Sequence, residues 1–363
     1  MPHRRRMLGL VLGLVGSVAA CPATPPGVDG EGEGEGEGGF ELPPGPAAFS
    51  YVEVAGSVCA NGTATGLGIS PGEPGARALL VVFNGGGACW DANSCFLLNA
   101  ATHLNSTYTD EVLQADVAPL APSGLTERAD PDNPFTRAHM AFLPYCTADL
   151  HAGDEQRYYQ VDLLGNLQGV AHRGRANTTL FAEQLARSFT EVDQVFLVGI
   201  SAGGFGAMLN HDAFAAAFPE AQVHLLADGA PLVAPQNGLY GVWRNTWNMH
   251  LPEGCTECES EFAAVVRHLR TTEPARRFAL VTTTNDEVIR TYFGYGLADL
   301  TPQVNALVDA EYVHDNAKAF VAAGTQHVLL GAYGTLSLPG GATLKSFVDA
   351  WAAGDDTWAT ARP

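Results

Sequence analysis

One short segment combines a serine with the surroundings that a nucleophile needs. An apolar run from Val195 to Ile200 leads into Gly199-Ile-Ser201-Ala-Gly203, and a helix-type run follows. Gly-x-Ser-x-Gly between a strand and a helix is typical of a nucleophile elbow, which raises the serine hydroxyl above the sheet edge. The helix N-terminus supplies N–H groups that can stabilise an oxyanion. Because the chain contains 41 glycines, the Gly-x-Ser-x-Gly pattern alone is weak evidence for a nucleophile. The strand-like run before it and the helix-type run after it predict acyl transfer by Ser201.

A serine nucleophile needs a base, and the base needs an orienting acid. In hydrolases with this elbow, the acid and then the histidine follow the serine along the chain. Asp228 and Asp286 each come directly after an apolar, strand-like run. Asp286 lies two strands after the elbow and is the predicted acid, with Glu287 as a minor rival. Asp228 lies one strand after it and is expected to brace the site through bonds to nearby backbone.

Two histidines follow Asp286, and they differ in their predicted positions. His327 comes after the apolar run 319–325, in a loop at the carboxyl edge of the predicted sheet, whereas His314 precedes that run. His211 lies ten residues into the helix after Ser201, a rise of about 15 Å that is too long to reach the hydroxyl. His327 is therefore the predicted base, the alternative being a hydrogen-bonded histidine of the core.

A second element of the site is predicted from three consecutive glycines. The run 85–87 directly follows the apolar segment Ala78–Phe83. Three glycines after a strand are commonly only a turn. Together with an elbow downstream, they let backbone N–H groups face a substrate carbonyl without an intervening Cβ. The segment predicts half of an oxyanion hole.

The elements that would position these residues alternate between strands and helices. Alternation of this kind predicts an α/β fold with a mainly parallel sheet covered by helices on both faces. The predicted strands are 78–83, 139–144, 195–200, 223–227, 278–283 and, more weakly, 318–323; the predicted helices are 179–190, 202–218 and 347–353.

Composition narrows the classes of partner. Apolar residues make up 46% and charged residues 16% of the 363-residue chain, values of a globular protein, and no apolar run after the N-terminus has the length of a membrane helix. The formal net charge of −20 disfavours nucleic acid and, more mildly, a polyanionic substrate. No cofactor is predicted, and the protein is expected to be a monomer.

The N-terminus predicts export. A basic Met1–Arg6 and an apolar Met7–Ala20 are the n- and h-regions of a signal peptide, 1–20. Val18-Ala-Ala-Cys21 resembles a bacterial lipobox, in which Cys21 would carry the lipid; the alternative is an ordinary cleaved signal and secretion. Residues 21–48, rich in Pro, Gly and Glu, predict a disordered tether before a catalytic domain at 49–363. We expect anchoring to the bacterial envelope, at the outer membrane or cell surface, with no other membrane contact.

Six cysteines remain after Cys21, and an even number in an exported chain predicts disulfides, although six cysteines allow 15 pairings. Cys255 and Cys258 form a lone C-x-x-C pair. A zinc site would need a second pair or histidines at ligand spacing, and the 11 histidines are scattered. No metal site is predicted.

Five separated blocks resemble the pectin acetylesterase and Notum-type carboxylesterases, over roughly Tyr51 to Tyr333. The blocks are Phe83-Asn-Gly-Gly-Gly-Ala-Cys89-Trp with Cys95; Pro144-Tyr-Cys-Thr-Ala-Asp149 with Gly153; Gly199-Ile-Ser-Ala-Gly-Gly with Asn210 and Asp212; Ala227-Asp-Gly-Ala; and Asn285-Asp286 with Gly324-Thr-Gln-His327.

The resemblance implies an α/β-hydrolase fold and the triad Ser201, Asp286 and His327, in agreement with the residues chosen above. It places the oxyanion donors at the backbone N–H groups of Gly86, Gly87 and Ala202. It also implies the disulfides Cys59–Cys146 and Cys89–Cys95, which leaves Cys255–Cys258 as a third bridge.

Members of this family hydrolyse acyl esters, so the resemblance implies an acylated small molecule or carbohydrate as substrate. An acetyl ester, on a polysaccharide such as pectin, is the first expectation. Many members carry tryptophan where this chain has Ala88, so the wall of the pocket is expected to differ. The alternatives are a lipase-like hydrolase of longer acyl esters and a non-catalytic, polysaccharide-binding lipoprotein.

Overall fold

The computed structural model describes residues 39–42, 44–120 and 124–363. The predicted signal peptide, Cys21 and most of the predicted tether lie outside these residues, and the boundaries of the three predicted segments stay predictions. Within the predicted tether, Phe40 N–H donates to Ser188 Oγ at 2.8 Å and Ala47 N–H to Pro71 O at 3.3 Å.

A mixed sheet of nine strands organises the described part of the chain. The strand order is β1-β2-β4-β3-β7-β8-β9-β11-β10, while β5 and β6 form a separate hairpin. The five pairings from β4 to β11 are parallel; β1, β2 and β10 pair antiparallel at the two edges. The strands are β1 Ser50–Val58, β2 Ala64–Ser70, β3 Ala78–Phe83, β4 His139–Leu143, β5 Glu155–Gln160, β6 Leu167–His172, β7 Gln194–Ile200, β8 Gln222–Asp228, β9 Phe278–Thr283, β10 Val313–His314 and β11 Ala317–Ala322.

The α-helices follow the strands as the alternation predicted. They are α1 Asp110–Val117, α2 Gly174–Ser188, α3 Ala202–Leu209, α4 His211–Ala217, α5 Leu239–Trp247, α6 Ala264–Thr272, α7 Glu287–Tyr292, α8 Leu300–Glu311 and α9 Leu344–Ala353. One predicted helix is divided in the structure. The helix expected over 202–218 is two helices, α3 and α4, because Asn210 leaves helical geometry and its side-chain amide donates to His151 O and Gly206 O.

The sheet separates two hydrophobic cores. Leu79, Val81 and Phe83 of β3 belong to the core that α2, α3, α6 and α8 cover. Leu80 and Val82, which point to the opposite face, belong to the core that α1 and α9 cover. Alternate residues of one strand are thus buried on both faces, as its continuous apolar sequence requires. The fold is the α/β-hydrolase type that the sequence predicted.

Among the described helices, none combines the length and the apolar composition of a membrane-crossing segment.

Candidate active site

Ser201 lies in a strained turn between β7 and α3. Its backbone has φ 56° and ψ −122°, a region that costs a non-glycine residue about 1–3 kcal/mol. The two glycines of the elbow make this turn possible. A Cβ on Gly199 would collide with the carbonyl oxygen of Gly203, and a Cβ on Gly203 would collide with that of Phe83. The Gly-x-Ser-x-Gly spacing is therefore a packing requirement of the turn.

The side chains of Ser201, His327 and Asp286 form one hydrogen-bonded chain. The Ser201 hydroxyl donates to His327 Nε2 at 2.7 Å. His327 Nδ1–H donates to Asp286 Oδ2, also at 2.7 Å; a carboxylate can only accept, and this fixes the tautomer. The Asp286 side chain is 0% exposed and that of His327 is 18% exposed. This is the geometry of a nucleophile, its base and an orienting acid.

Asp286 is held at the start of α7, directly after β9. Its second oxygen, Oδ1, accepts the N–H groups of Val288 and Ile289, each at 3.0 Å. This is an N-cap arrangement, which satisfies two helix donors and fixes the carboxylate. One oxygen is therefore engaged by the helix while the other faces His327.

A second buried carboxylate fixes the loop that carries the base. Asp228 Oδ2 accepts the N–H groups of Leu329 and Leu330 at 2.8 and 2.7 Å. The carbonyl oxygen of Asp228 accepts the N–H of Ser201 at 2.8 Å. Burial raises the pKa of the Asp228 carboxyl to about 7, although the two N–H donors and His327 act in the opposite direction. Asp228 thus joins the loops of the nucleophile and the base.

The glycine loop lies against Ser201. A Cβ on Gly85 would lie 3.0 Å from Ser201 Cβ. The loop is fixed by pairing with residues 100–102, in which Gly86 O accepts Thr102 N–H at 2.8 Å and Ala88 N–H donates to Ala100 O at 3.1 Å. Within the described part of the chain, the N–H groups of Gly86, Gly87 and Ala202 have no hydrogen-bond acceptor. These are the three N–H groups that the family resemblance implies as oxyanion donors.

A small apolar cavity opens beside the serine. Its volume is ≈ 30 Å³. The lining residues are Gly87, Ala88, Leu150, Ser201, Ala202, Phe205, Trp243, Val288, Ile289, Tyr292 and Phe293. Two predicted donors, Gly87 and Ala202, therefore share this cavity with the nucleophile.

Tyr292 limits the size of the cavity. Its hydroxyl donates to Ala100 O, and the ring lies so close to Gly87 that a Cβ there would collide with the hydroxyl oxygen. Nothing in the sequence pattern marks Tyr292, Phe205 or Trp243 as site residues. They come from three helices that meet only in the folded chain. Aromatic residues of these types are as common in hydrophobic cores as in the walls of pockets.

The other candidate residues are engaged away from the serine. His314 bonds to Ala310 O at 3.0 Å and buried His211 bonds to Val223 O at 2.9 Å. Glu287 is the first residue of α7, as its position after Asp286 suggested. Of the candidate acids and bases, the structure brings Asp286 and His327 to Ser201.

Three disulfides join the pairs that the family resemblance implies: Cys59–Cys146, Cys89–Cys95 and Cys255–Cys258. The first ties the β1–β2 turn to the segment after β4. The second closes the loop directly after Ala88, so it holds one wall of the cavity. Among the described residues, no three His, Cys, Asp or Glu side chains are grouped as a metal site would require.

One known family matches a large part of this chain. A family model described as pectinacetylesterase matches residues 47–237, just over half of the chain. The matched segment includes the glycine loop, the elbow and Asp228, and it ends before Asp286 and His327. The chain belongs to the pectinacetylesterase family, a family of carboxylesterases.

Proposed function

We propose that the protein is a serine esterase that removes acetyl groups from hydroxyl-bearing substrates. Ser201 would be the nucleophile, His327 the base, and Asp286 the orienting acid. The observation that carries the proposal is the unbroken chain of 2.7 Å hydrogen bonds from Asp286 through His327 to Ser201, ending at a small apolar cavity.

The size of the cavity supports acetyl as the acyl group. The cavity beside Ser201 is small and apolar, with a volume of ≈ 30 Å³. An acetyl methyl and its carbonyl carbon fit within this space, whereas an octanoyl chain would need Tyr292 and its neighbours to move. The cavity therefore favours an acetylesterase over the lipase-like alternative.

The reaction would proceed in two steps. His327 Nε2 takes the proton of Ser201 as Oγ attacks the ester carbonyl, and Asp286 stabilises the imidazolium. The N–H groups of Gly86, Gly87 and Ala202 would hold the oxyanion, and the loss of one such donor typically costs about 2.7–4 kcal/mol of barrier. The imidazolium then protonates the leaving alcohol, and water activated by His327 releases acetate from Ser201.

The proposed substrates are acetylated small molecules and carbohydrates. The net charge of −20 disfavours approach to a strongly anionic polysaccharide. We therefore expect better turnover on neutral acetylated sugars than on acetylated polygalacturonate.

Two measurements test this proposal. The full-length protein should react with a fluorophosphonate probe at Ser201, and it should hydrolyse nitrophenyl acetate with a higher kcat/KM than nitrophenyl octanoate. A preference for octanoate would favour the lipase-like alternative. The absence of both labelling and hydrolysis would favour a binding protein.

A further inference from the structure

The β5–β6 hairpin ends in apolar side chains that face solvent. Leu163 and Leu164 in its turn are 102% and 89% exposed. Leu167 and Tyr158 are also exposed and share one face of the ribbon, because Gln160 pairs with Leu167 and Tyr158 with Gly169. A cluster of exposed leucines is unusual for a soluble surface and marks a contact site.

The turn pairs several of its polar groups internally while it exposes these leucines. Val161 N–H donates to Asn166 O at 2.9 Å. The Asp162 carboxylate accepts the N–H groups of Leu164 and Asn166 at 2.9 and 3.0 Å, and it also accepts the Asn166 side-chain amide. The tip therefore presents leucines outward, and its exposed carboxylate is hydrogen-bonded to the turn. Backbone polar groups with internal partners are what entry into lipid requires.

A neighbouring loop extends this apolar surface. Leu97 and Leu98 are 73% and 71% exposed. Their loop lies beside the hairpin, because Phe96 packs edge-to-face on Tyr159 with ring centres 6.4 Å apart and Gln168 donates to Asn105 at 3.3 Å. We call Leu97, Leu98, Leu163, Leu164 and Leu167 the leucine tip.

The scarcity of charged residues around the leucine tip favours a lipid surface as its partner. Residues 92–109 contain no Asp, Glu, Lys or Arg, and residues 158–172 contain only Asp162, in a chain with a net charge of −20. This end of the domain is thus nearly free of the negative charge that would repel an anionic membrane. Arg157, on β5, donates to Thr246 O and Asn245 O, so the tip itself offers a protein partner no cation for a salt bridge.

The predicted lipid anchor before the described residues also favours a membrane as the surface that the leucine tip contacts. A lipid on Cys21, as predicted from the sequence, would be separated from Gly39 by seventeen residues, which span at most about 60 Å. Such a tether keeps the domain at the bilayer surface, where shallow insertion of a few leucines acts as a second contact.

We infer that the leucine tip inserts into the lipid interface of the membrane that carries the anchor. This inference does not depend on the proposed esterase activity. It adds a protein contact to the lipid anchor that the sequence alone predicts.

A dye at the tip tests the inference. The full-length chain carries Cys21→Ser and an N-terminal histidine tag, which binds it to phosphatidylcholine vesicles containing a nickel-chelating lipid. Leu163→Cys is labelled with an environment-sensitive nitrobenzoxadiazole dye. The matched control is Val313→Cys, an exposed position on β10 at the far edge of the sheet.

The inference predicts that emission from position 163 shifts to the blue on vesicle binding and loses most of its intensity when the vesicles contain doxyl-labelled lipid. Position 313 should show neither change. An unchanged emission at 163 would overturn the inference. So would a blue shift that doxyl lipid does not quench, because that result indicates burial against protein, including a second copy of this chain.

Discussion

The carboxylate of Asp228 lies 2.8 Å from the backbone nitrogen of Leu329, two residues after His327, the proposed base. The intervening Val328 has φ 54°, a conformation that a β-branched residue adopts only under constraint. Gly229 lies against the other side of the base, since a Cβ there would be 3.2 Å from His327 Cε1. The orientation of the imidazole therefore depends on Asp228 as well as on Asp286.

Asp228→Asn should lower kcat far more than it changes KM. The amide nitrogen would face the N–H of Leu329 or Leu330 in place of an acceptor, and the loop would shift the imidazole away from Ser201. A displacement of about 1 Å in such a site can cost about 100-fold in rate. Steady-state kinetics on nitrophenyl acetate measures the effect, with Asp286→Asn as the comparison. An unchanged kcat would show that the loop holds His327 without Asp228.

The same residue should make stability depend on pH. The pKa of Asp228 is about 7 in the folded protein and 3.8 as its ordinary value, so its contribution is fully present below pH 3.8. That contribution is lost as the pH rises through about 7, because ionisation then costs more in the folded state. The free energy of unfolding of the wild type should therefore fall, relative to Asp228→Asn, between about pH 4 and pH 7. Denaturant titrations at several pH values measure this difference, and a parallel pH dependence of the two proteins would contradict it.

Tyr292 should set the length of the acyl group. Tyr292→Ala removes the ring that closes the cavity, and one methylene in such a pocket changes specificity by about 1–3 kcal/mol. We expect the octanoate-to-acetate ratio of kcat/KM to rise at least about tenfold. Tyr292→Phe is the matched control, since it keeps the ring and loses only the hydrogen bond to Ala100. An unchanged ratio in Tyr292→Ala would place the acyl group elsewhere.

Gly203→Ala should damage the elbow, because its new methyl would collide with the carbonyl oxygen of Phe83. We expect a loss of both activity and stability, by about 1–3 kcal/mol for a substitution that forces backbone to move. Gly241→Ala is the control. Gly241 lies within α5 with no atom near its added Cβ, and there alanine should stabilise by about 0.5–1 kcal/mol. Thermal unfolding distinguishes the two, and equal melting temperatures would contradict the packing argument.

The three residues of the hydrogen-bonded chain at Ser201 could be located from sequence because each follows a recognisable strand. Parallel strands bring their carboxyl ends to one edge, so Ser201 after β7, Asp286 after β9 and His327 after β11 had to converge. The helix break at Asn210 could not be predicted, because its cause is an amide that bonds to His151, 59 residues away. The cavity wall was missed for a related reason. Phe205, Trp243 and Tyr292 meet only through helix packing, and their spacing along the sequence does not indicate that they are close together.

The central claim is that Ser201 acts as a nucleophile through His327 and Asp286. The most direct test is the kcat of full-length Ser201→Ala, His327→Ala and Asp286→Ala on nitrophenyl acetate, beside His314→Ala, which removes a histidine outside the site. We expect losses of about 10⁴- to 10⁶-fold in the three triad variants, with wild-type activity in His314→Ala. A Ser201→Ala variant that turns over as fast as the wild type would contradict it.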